Sequence, residues 1–262
     1  MMVQLFLQND LAAHLYYSSE ASTDDSSILV DNLVIFFPGL PQFVDKRFFQ
    51  DKVLKNTAYL SVYYYGTWLS GETFTPDTAR KTVKDAIEFA RGGRGLATYN
   101  SKSFHWKYRK LQVLGCSFAG NSIITSGISK ADVAGIELYN PLIYLENGDK
   151  SQLPAFDGEA FDNLNRQFLQ FMRNGYCNVL RGIDSEVWNN YFFGKDPASK
   201  IMISGDLPQI KIYQGLDDTT LNPAWSKYFC ESNKSICEYV GVEGVGHDFV
   251  SAYNIINRNG NN

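Results

Sequence analysis

The feature that most constrains the fold is a short apolar run that leads into a serine flanked by small residues. Residues 111–114 are followed directly by Gly115, Ser117, Ala119 and Gly120. A sharp turn from a strand into a helix strains the serine backbone and exposes its Oγ above the sheet edge, so the residues two before and two after it must be small. The pattern predicts a nucleophile elbow at Ser117. A similar crossover also occurs in α/β proteins that have no nucleophile.

Two further polar motifs each follow a predicted strand later in the chain. An alternating run over 209–214 ends shortly before Asp217 and Asp218. A strand-like run over 237–242 leads to His247. Because parallel strands end at a common sheet edge, a serine, an aspartate and a histidine in this order are expected to meet there as nucleophile, acid and base.

This arrangement resembles the α/β-hydrolase superfamily over nearly the whole chain, from about Val3 to the helix after His247. In that family a glycine, two variable residues and an aspartate follow the strand that carries the acid. Gly215 and Asp218 match that register. The resemblance therefore implies Asp218 as the acid, with Asp217 as the alternative.

The resemblance also implies an oxyanion hole, made by backbone N–H groups that bind the negatively charged oxygen of a tetrahedral intermediate. The family usually ends its third strand with His-Gly, and this chain has Pro38 and Gly39 there. Pro38 is a departure from the family, but it leaves the expected donor, the N–H of Leu40, in place. The second donor is the N–H of Phe118.

The order of apolar runs predicts an α/β fold with a mostly parallel central sheet and helices on both faces. Thr75 followed by Pro76 marks the start of one helix, which Gly92 ends. At 262 residues the chain can fold as a single domain, with its core at about 1–145 and 206–262. The predicted strands cover 3–7, 11–18, 33–37, 59–65, 111–114, 133–139, 209–214 and 237–242.

The segment 146–205 is too long for a plain crossover between two core strands. It contains an amphipathic stretch over 159–173 and a second helix that begins at Asp184 or Ser185. The resemblance implies a helical cap over the site, and the alternative is that these helices only pack on the body. Under the cap hypothesis the candidate substrate-binding residues are aromatic: Phe168, Trp188, Tyr191 and Phe192.

Composition and charge narrow the possible partners. A net charge of −4 and a pI near 5.4 argue against nucleic acid as a partner, since phosphate binding needs a concentrated basic face. No segment approaches the roughly 20 apolar residues of a membrane span, and the first residues do not resemble a signal peptide. We therefore expect a cytoplasmic protein with reduced thiols. Cys230 and Cys237 are spaced so that they could bridge, and no cysteine spacing suggests a metal site.

These residues together predict a serine hydrolase that cleaves a carboxylic ester or a similar acyl bond of a small, partly apolar molecule. Such chemistry needs no metal and no organic cofactor. A peptidase or amidase, and an acyltransferase, would use the same three side chains. A ligand-binding protein that does no chemistry is the alternative from another class. The natural substrate and the oligomeric state do not follow from the sequence.

Overall fold

A computed structural model of the chain describes residues 1–40, 46–50, 56–143, 179–192 and 206–259, with helical residues also described at 159, 162–163, 166–167, 169–170 and 172. The strands are β1 (Met2–Gln8), β2 (Leu11–Tyr17), β3 (Ser22–Asp24), β4 (Ser27–Phe37), β5 (Thr57–Tyr63), β6 (Arg94–Ala97), β7 (Lys102–Cys116), β8 (Ile136–Tyr139), β9 (Ile210–Gly215) and β10 (Cys237–Val242). The helices are α1 (Lys46–Gln50), α2 (Pro76–Gly92), α3 (Ala119–Thr125), α4 (Ser185–Phe192), α5 (Pro223–Ser232) and α6 (Phe249–Asn259).

The central sheet has the order β1-β2-β5-β4-β7-β8-β9-β10. β2 is antiparallel to both of its neighbours, whereas every neighbouring pair from β5 to β10 is parallel. Because parallel strands share one direction, the residues that follow β7, β8, β9 and β10 meet at one edge of the sheet. The mostly parallel sheet confirms the predicted fold class.

Helices cover both faces of this sheet, and two hydrophobic cores result. Alternate residues of β4 point to opposite faces. Ile35 belongs to the core that also holds Val83 of α2 and Ile123 of α3, whereas Phe36 belongs to the core that holds Tyr253 of α6. All five side chains are buried. Burial on both faces explains why residues 33–37 of this strand are continuously apolar rather than alternating.

Helix α2 begins and ends as its sequence predicts. Thr75 and Thr78 form a reciprocal capping box, and Pro76 occupies the first turn, where its missing N–H has no intrahelical partner anyway. After Gly92 the chain turns at Gly93, which has the left-handed φ of 66°. Glycine adopts this conformation without steric cost.

The hairpin of β6 and β7 was not predicted. The sequence predicts no strand between residues 65 and 111, but residues 102–110 belong to β7, and Phe6 of β1 pairs with Ala97 of β6. The ring of strands β1, β2, β5, β4, β7 and β6 is thereby closed. Buried Phe104 and Trp106 alternate with exposed residues, as a strand with one solvated face requires. The charged side chains of this stretch form the outer face of the hairpin.

The cysteines also depart from the expectation. The structure joins Cys230 of α5 to Cys237 of β10 by a disulfide, so the expectation of reduced thiols is wrong for this pair. Cys116 is a free, buried thiol. Within the described part of the chain, no helix combines the length and the apolar character needed to cross a membrane.

Most of the predicted cap, 146–205, lies outside the described residues. Its described part includes residues 179–192, which contact the body at several points. The N–H of Trp68 donates to the carbonyl oxygen of Val179 at 3.1 Å, and the N–H of Phe74 donates to that of Arg181 at 2.8 Å. These bonds fix the start of α4 against the loop that follows β5.

Candidate active site

Ser117 lies in a strained turn between β7 and α3. Its φ is 50°, a left-handed conformation that costs a residue with a side chain about 1–2 kcal/mol. Neighbouring backbone holds the turn: the N–H of Ser117 donates to the Tyr139 oxygen at 3.1 Å, and the N–H of Leu142 donates to the Ser117 oxygen at 2.8 Å. The end of β8 and the chain after it therefore brace the serine from one side.

The small residues around Ser117 are set by contacts that the structure makes explicit. A Cβ on Gly115 would lie 2.4 Å from Cδ1 of Ile123, and a Cβ on Gly120 would lie 2.5 Å from Cβ of Pro141. Helix α3 thus approaches the chain after β8 at Gly120 rather than at Ala119. This explains why an alanine is tolerated at 119 and why the second glycine stands one position later.

The structure brings Ser117, His247 and Asp218 together in one hydrogen-bonded chain. The distance from Nε2 of His247 to Oγ of Ser117 is 3.0 Å, and the distance from Nδ1 of His247 to Oδ2 of Asp218 is 2.8 Å. The carboxylate is completely buried, whereas the imidazole keeps 27% of its surface exposed. Asp217, the alternative acid, is exposed. With Oδ2 as acceptor, Nδ1 carries the proton and Nε2 is free to accept one.

Asp218 is held by four donors in all. Its Oδ1 accepts the N–H groups of Thr220 at 2.8 Å and Leu221 at 2.9 Å. Its Oδ2 accepts Nε2 of Gln214 at 3.0 Å as well as the histidine, and Ser226 Oγ lies 2.8 Å from the other end of that glutamine. A buried carboxylate needs such compensation for the water it has lost.

The chain that carries the predicted oxyanion donor Leu40 lies directly beside the serine. A Cβ on Gly39 would be 3.2 Å from Cβ of Ser117 and 3.7 Å from its Oγ. The peptide unit between Pro38 and Gly39 is held by a buried tyrosine. The hydroxyl of Tyr64 donates to the Pro38 oxygen at 3.1 Å.

Phe118, the other predicted donor residue, occupies the position before α3 with helical backbone angles. Its ring is buried and packs edge-on against Tyr64 at 5.6 Å between centroids. The ring also packs against Trp188 of α4 at 5.9 Å. The residue after the serine therefore connects the elbow to the inserted segment.

The structure describes the side chains of two of the four predicted substrate-binding residues, Trp188 and Tyr191. Trp188 is fully buried, and its Nε1 donates to the Phe74 oxygen at 3.0 Å. Tyr191 is also buried, and its hydroxyl is bonded to the side-chain oxygen of Asn121 in α3. Phe168 and the side chain of Phe192 lie outside the described residues.

Two side chains around the site, Gln214 and Ser226, were not predicted from the sequence. Gln214 could have been noticed, because it falls on the strand face of Ile210 and Ile212, where an apolar residue is expected. Ser226 lies on α5, and nothing local marks it. Cys116 directly precedes the serine. It is buried, and burial raises the pKa of its thiol to about 12.

No protein-family model matches the sequence, and no curated protein matches it significantly. Solved structures do match. The esterase Est2 of Thermogutta terrifontis with butyrate bound superposes with a TM-score of 0.57 at 18% identity, over 99% of this chain and 91% of that one. The same esterase phosphonylated by sarin gives 0.56 at 17%, over 99% and 92%.

Structures from other sources agree. The α/β hydrolase GrgF of Penicillium sp. sh18 gives a TM-score of 0.59 at 15% identity, over 99% of this chain and 96% of that one. A lid-less α/β serine hydrolase of Xanthomonas campestris gives 0.54 at 10%, over 97% and 89%. With the strand order and the elbow described above, these superpositions show that the chain has the fold of the α/β-hydrolase superfamily.

Proposed function

We propose that this chain is a serine hydrolase that cleaves a carboxylic ester, or a similar acyl bond, of a small and partly apolar molecule. The observation that carries the proposal is the continuous hydrogen-bonded chain from Ser117 through His247 to buried Asp218. A serine hydroxyl is a weak nucleophile until a base takes its proton, and a neutral imidazole oriented by a carboxylate does this near neutral pH. The esterases among the similar structures support the same activity.

In the proposed reaction, Oγ of Ser117 attacks the carbonyl carbon of the ester while Nε2 of His247 takes the hydroxyl proton. The C–O bond to the leaving alcohol then breaks, and the imidazolium returns the proton to the alkoxide. Water, deprotonated by the same nitrogen, hydrolyses the acyl-enzyme and regenerates Ser117. Asp218 stabilises the imidazolium in both halves and stays ionised.

The N–H groups of Leu40 and Phe118 are the proposed donors to the oxyanion of the tetrahedral intermediate. Loss of one such donor costs roughly 3–4 kcal/mol of transition-state stabilisation in comparable enzymes. We further propose that the acyl group lies on the side of the elbow where Phe118 meets Trp188 and Tyr191, with Phe168 and Phe192 contributing from the inserted segment. The Thermogutta esterase binds butyrate, which contains a small acyl group of the kind proposed here.

A fluorophosphonate probe tests the proposal directly. Wild-type protein should be labelled once, at Ser117, because in the part of the chain that the structure describes only this serine hydroxyl is paired with the imidazole of His247. Ser117→Ala should abolish labelling. Ser122→Ala is the matched control, because Ser122 is a buried serine of α3 whose Oγ has no hydrogen-bond partner among the described residues.

The two adjacent aspartates provide a second matched pair. Asp218→Asn leaves the imidazole in the wrong tautomer and should lower the labelling rate by about 10⁴-fold. Asp217→Asn removes the same charge from an exposed neighbour and should label like wild type. Absence of labelling in folded wild-type protein, with probes of several sizes, would instead favour a ligand-binding protein that does no chemistry.

A further inference from the structure

The residue after β8, Asn140, contacts the segments that carry two members of the proposed triad. Its side chain is buried, with 1% of the residue exposed, and its φ is 44°. Its own N–H donates to the Tyr213 oxygen at 2.9 Å, which fixes its backbone against β9. The residue does not contact the reacting atoms in the proposed mechanism, so its burial and strain need another explanation.

Both ends of the Asn140 amide are used. The N–H of Gly215 donates to Oδ1 at 2.7 Å, and Nδ2 donates to the Gly246 oxygen at 3.1 Å. Gly215 ends the strand that leads to Asp218, and Gly246 directly precedes His247. One amide therefore joins the acid segment to the histidine segment.

The two segments also touch each other where the amide lies. A Cβ on Gly215 would be 2.4 Å from the Val245 oxygen and 2.6 Å from the Gly246 oxygen, and the N–H of Asp217 donates to the Val245 oxygen at 3.0 Å. Without a donor on Asn140, the Gly246 oxygen loses a partner that fixes its direction. The orientation of the Gly246 peptide in turn sets where the His247 side chain starts.

We propose that Asn140 is a positioning residue that holds His247 in line with Asp218 and Ser117. The predicted effect of Asn140 on turnover rests on the proposed function. The predicted effect of Asn140 on the His247–Asp218 hydrogen bond is independent of that function. Asparagine fits the position for two reasons: its amide supplies a donor and an acceptor together, and it tolerates positive φ better than most residues with side chains.

Two variants separate the side chain from the backbone. Asn140→Gly keeps the left-handed conformation and removes both hydrogen bonds. Asn140→Asp keeps the acceptor for Gly215 but places a carboxylate against the Gly246 oxygen. Asn9→Gly is the matched control, because Asn9 also has a positive φ of 50° and is an exposed residue of the β1–β2 turn.

The first readout is steady-state ester hydrolysis. Asn140→Gly should lower kcat about 100-fold, the effect of an ångström-scale misplacement, with a much smaller change in KM. Asn140→Asp should also lower kcat, whereas Asn9→Gly should match wild type. A second readout is the far-downfield proton resonance of the His247 Nδ1–H bonded to Asp218, assigned by its absence in His247→Ala. It should be lost or broadened in Asn140→Gly.

The proposal is overturned if both Asn140 variants keep kcat within about twofold of wild type and keep the downfield resonance. It is also overturned if the loss of kcat equals the loss of folded protein measured by near-UV circular dichroism, since the side chain would then act on stability alone. If wild type neither hydrolyses esters nor labels, the proposed function fails, and the resonance still tests the positioning of His247.

Discussion

Replacing Ser117 by glycine should make the protein more stable than replacing it by alanine. Both variants lose the hydrogen bond from the hydroxyl to His247, so that loss cancels in the comparison. The difference lies in the backbone, because Ser117 has a φ of 50°. Alanine keeps the left-handed penalty of about 1–2 kcal/mol, and glycine does not have it.

The expected magnitude is smaller than that penalty. Glycine gives the unfolded chain more freedom, which costs the folded state about 0.4–1 kcal/mol relative to alanine. The net advantage of Ser117→Gly over Ser117→Ala is therefore about 0.5–1 kcal/mol. For a chain of this size, 1 kcal/mol shifts the melting temperature by about 2–4 °C, so a paired thermal unfolding measurement resolves the difference.

Ser122 provides the control because it lies five residues on, inside helix α3, without positive φ. There the order should reverse: Ser122→Gly should be less stable than Ser122→Ala by about 1 kcal/mol, the ordinary cost of glycine in a helix. If Ser117→Gly is also the less stable member of its pair, the serine is not in a left-handed turn. The elbow geometry would then be wrong, whatever the protein's activity.

Two further predictions concern side chains packed around the elbow. Trp188→Ala should cost about 3–5 kcal/mol and raise the relative rate on longer acyl chains. The matched control is Trp106→Ala, which removes a similarly buried tryptophan of β7 and should cost as much without altering that preference. Equal chain-length profiles in the two variants would make Trp188 a packing residue only. Because burial raises the pKa of Cys116 to about 12, the native thiol should resist iodoacetamide at pH 8 and react after unfolding, as read by mass spectrometry. Because folding raises the pKa of the Cys116 thiol, the free energy of unfolding should decrease as pH rises above about 9. The decrease should be smaller in Cys116→Ser.

The parts of this fold that could be predicted from sequence are those fixed by local rules. The apolar run before Gly115 and the small residues after it predict the elbow, because the turn leaves no room for side chains. The register of the family that the chain resembles, counted from Gly215, implies Asp218 rather than Asp217 as the acid, and the structure places the buried carboxylate of Asp218 against the histidine. The steric demands of a turn and a fixed spacing between motif residues can be recognised in a sequence without knowledge of the distant segments that these residues contact.

What could not be predicted depends on contacts between distant segments. Asn140 directly follows the predicted strand over 133–139, and nothing near it indicates that its amide meets residues 75 and 106 positions away. The roles of Gln214 and Ser226 likewise depend on contacts that the local sequence does not reveal. The β6–β7 hairpin was missed because its charged outer face resembles a loop, although Phe104 and Trp106 alternate with it.

Ser117 and His247 are 130 residues apart in the chain, and Oγ of Ser117 lies 3.0 Å from Nε2 of His247. The edge of the parallel sheet explains how the two side chains come together. The residue after each of β7, β8 and β9 donates its N–H to a carbonyl oxygen at or near the end of the next strand in the sheet: Ser117 to Tyr139 at 3.1 Å, Asn140 to Tyr213 at 2.9 Å and Leu216 to Val242 at 3.0 Å. This ladder carries the register of β7 across β8 and β9 to β10. Ser117 and Asn140 both have positive φ, so the chain turns sharply at two successive steps. These backbone hydrogen bonds therefore stabilise the strained conformations of Ser117 and Asn140. The same bonds align the side chains of Ser117, Asp218 and His247.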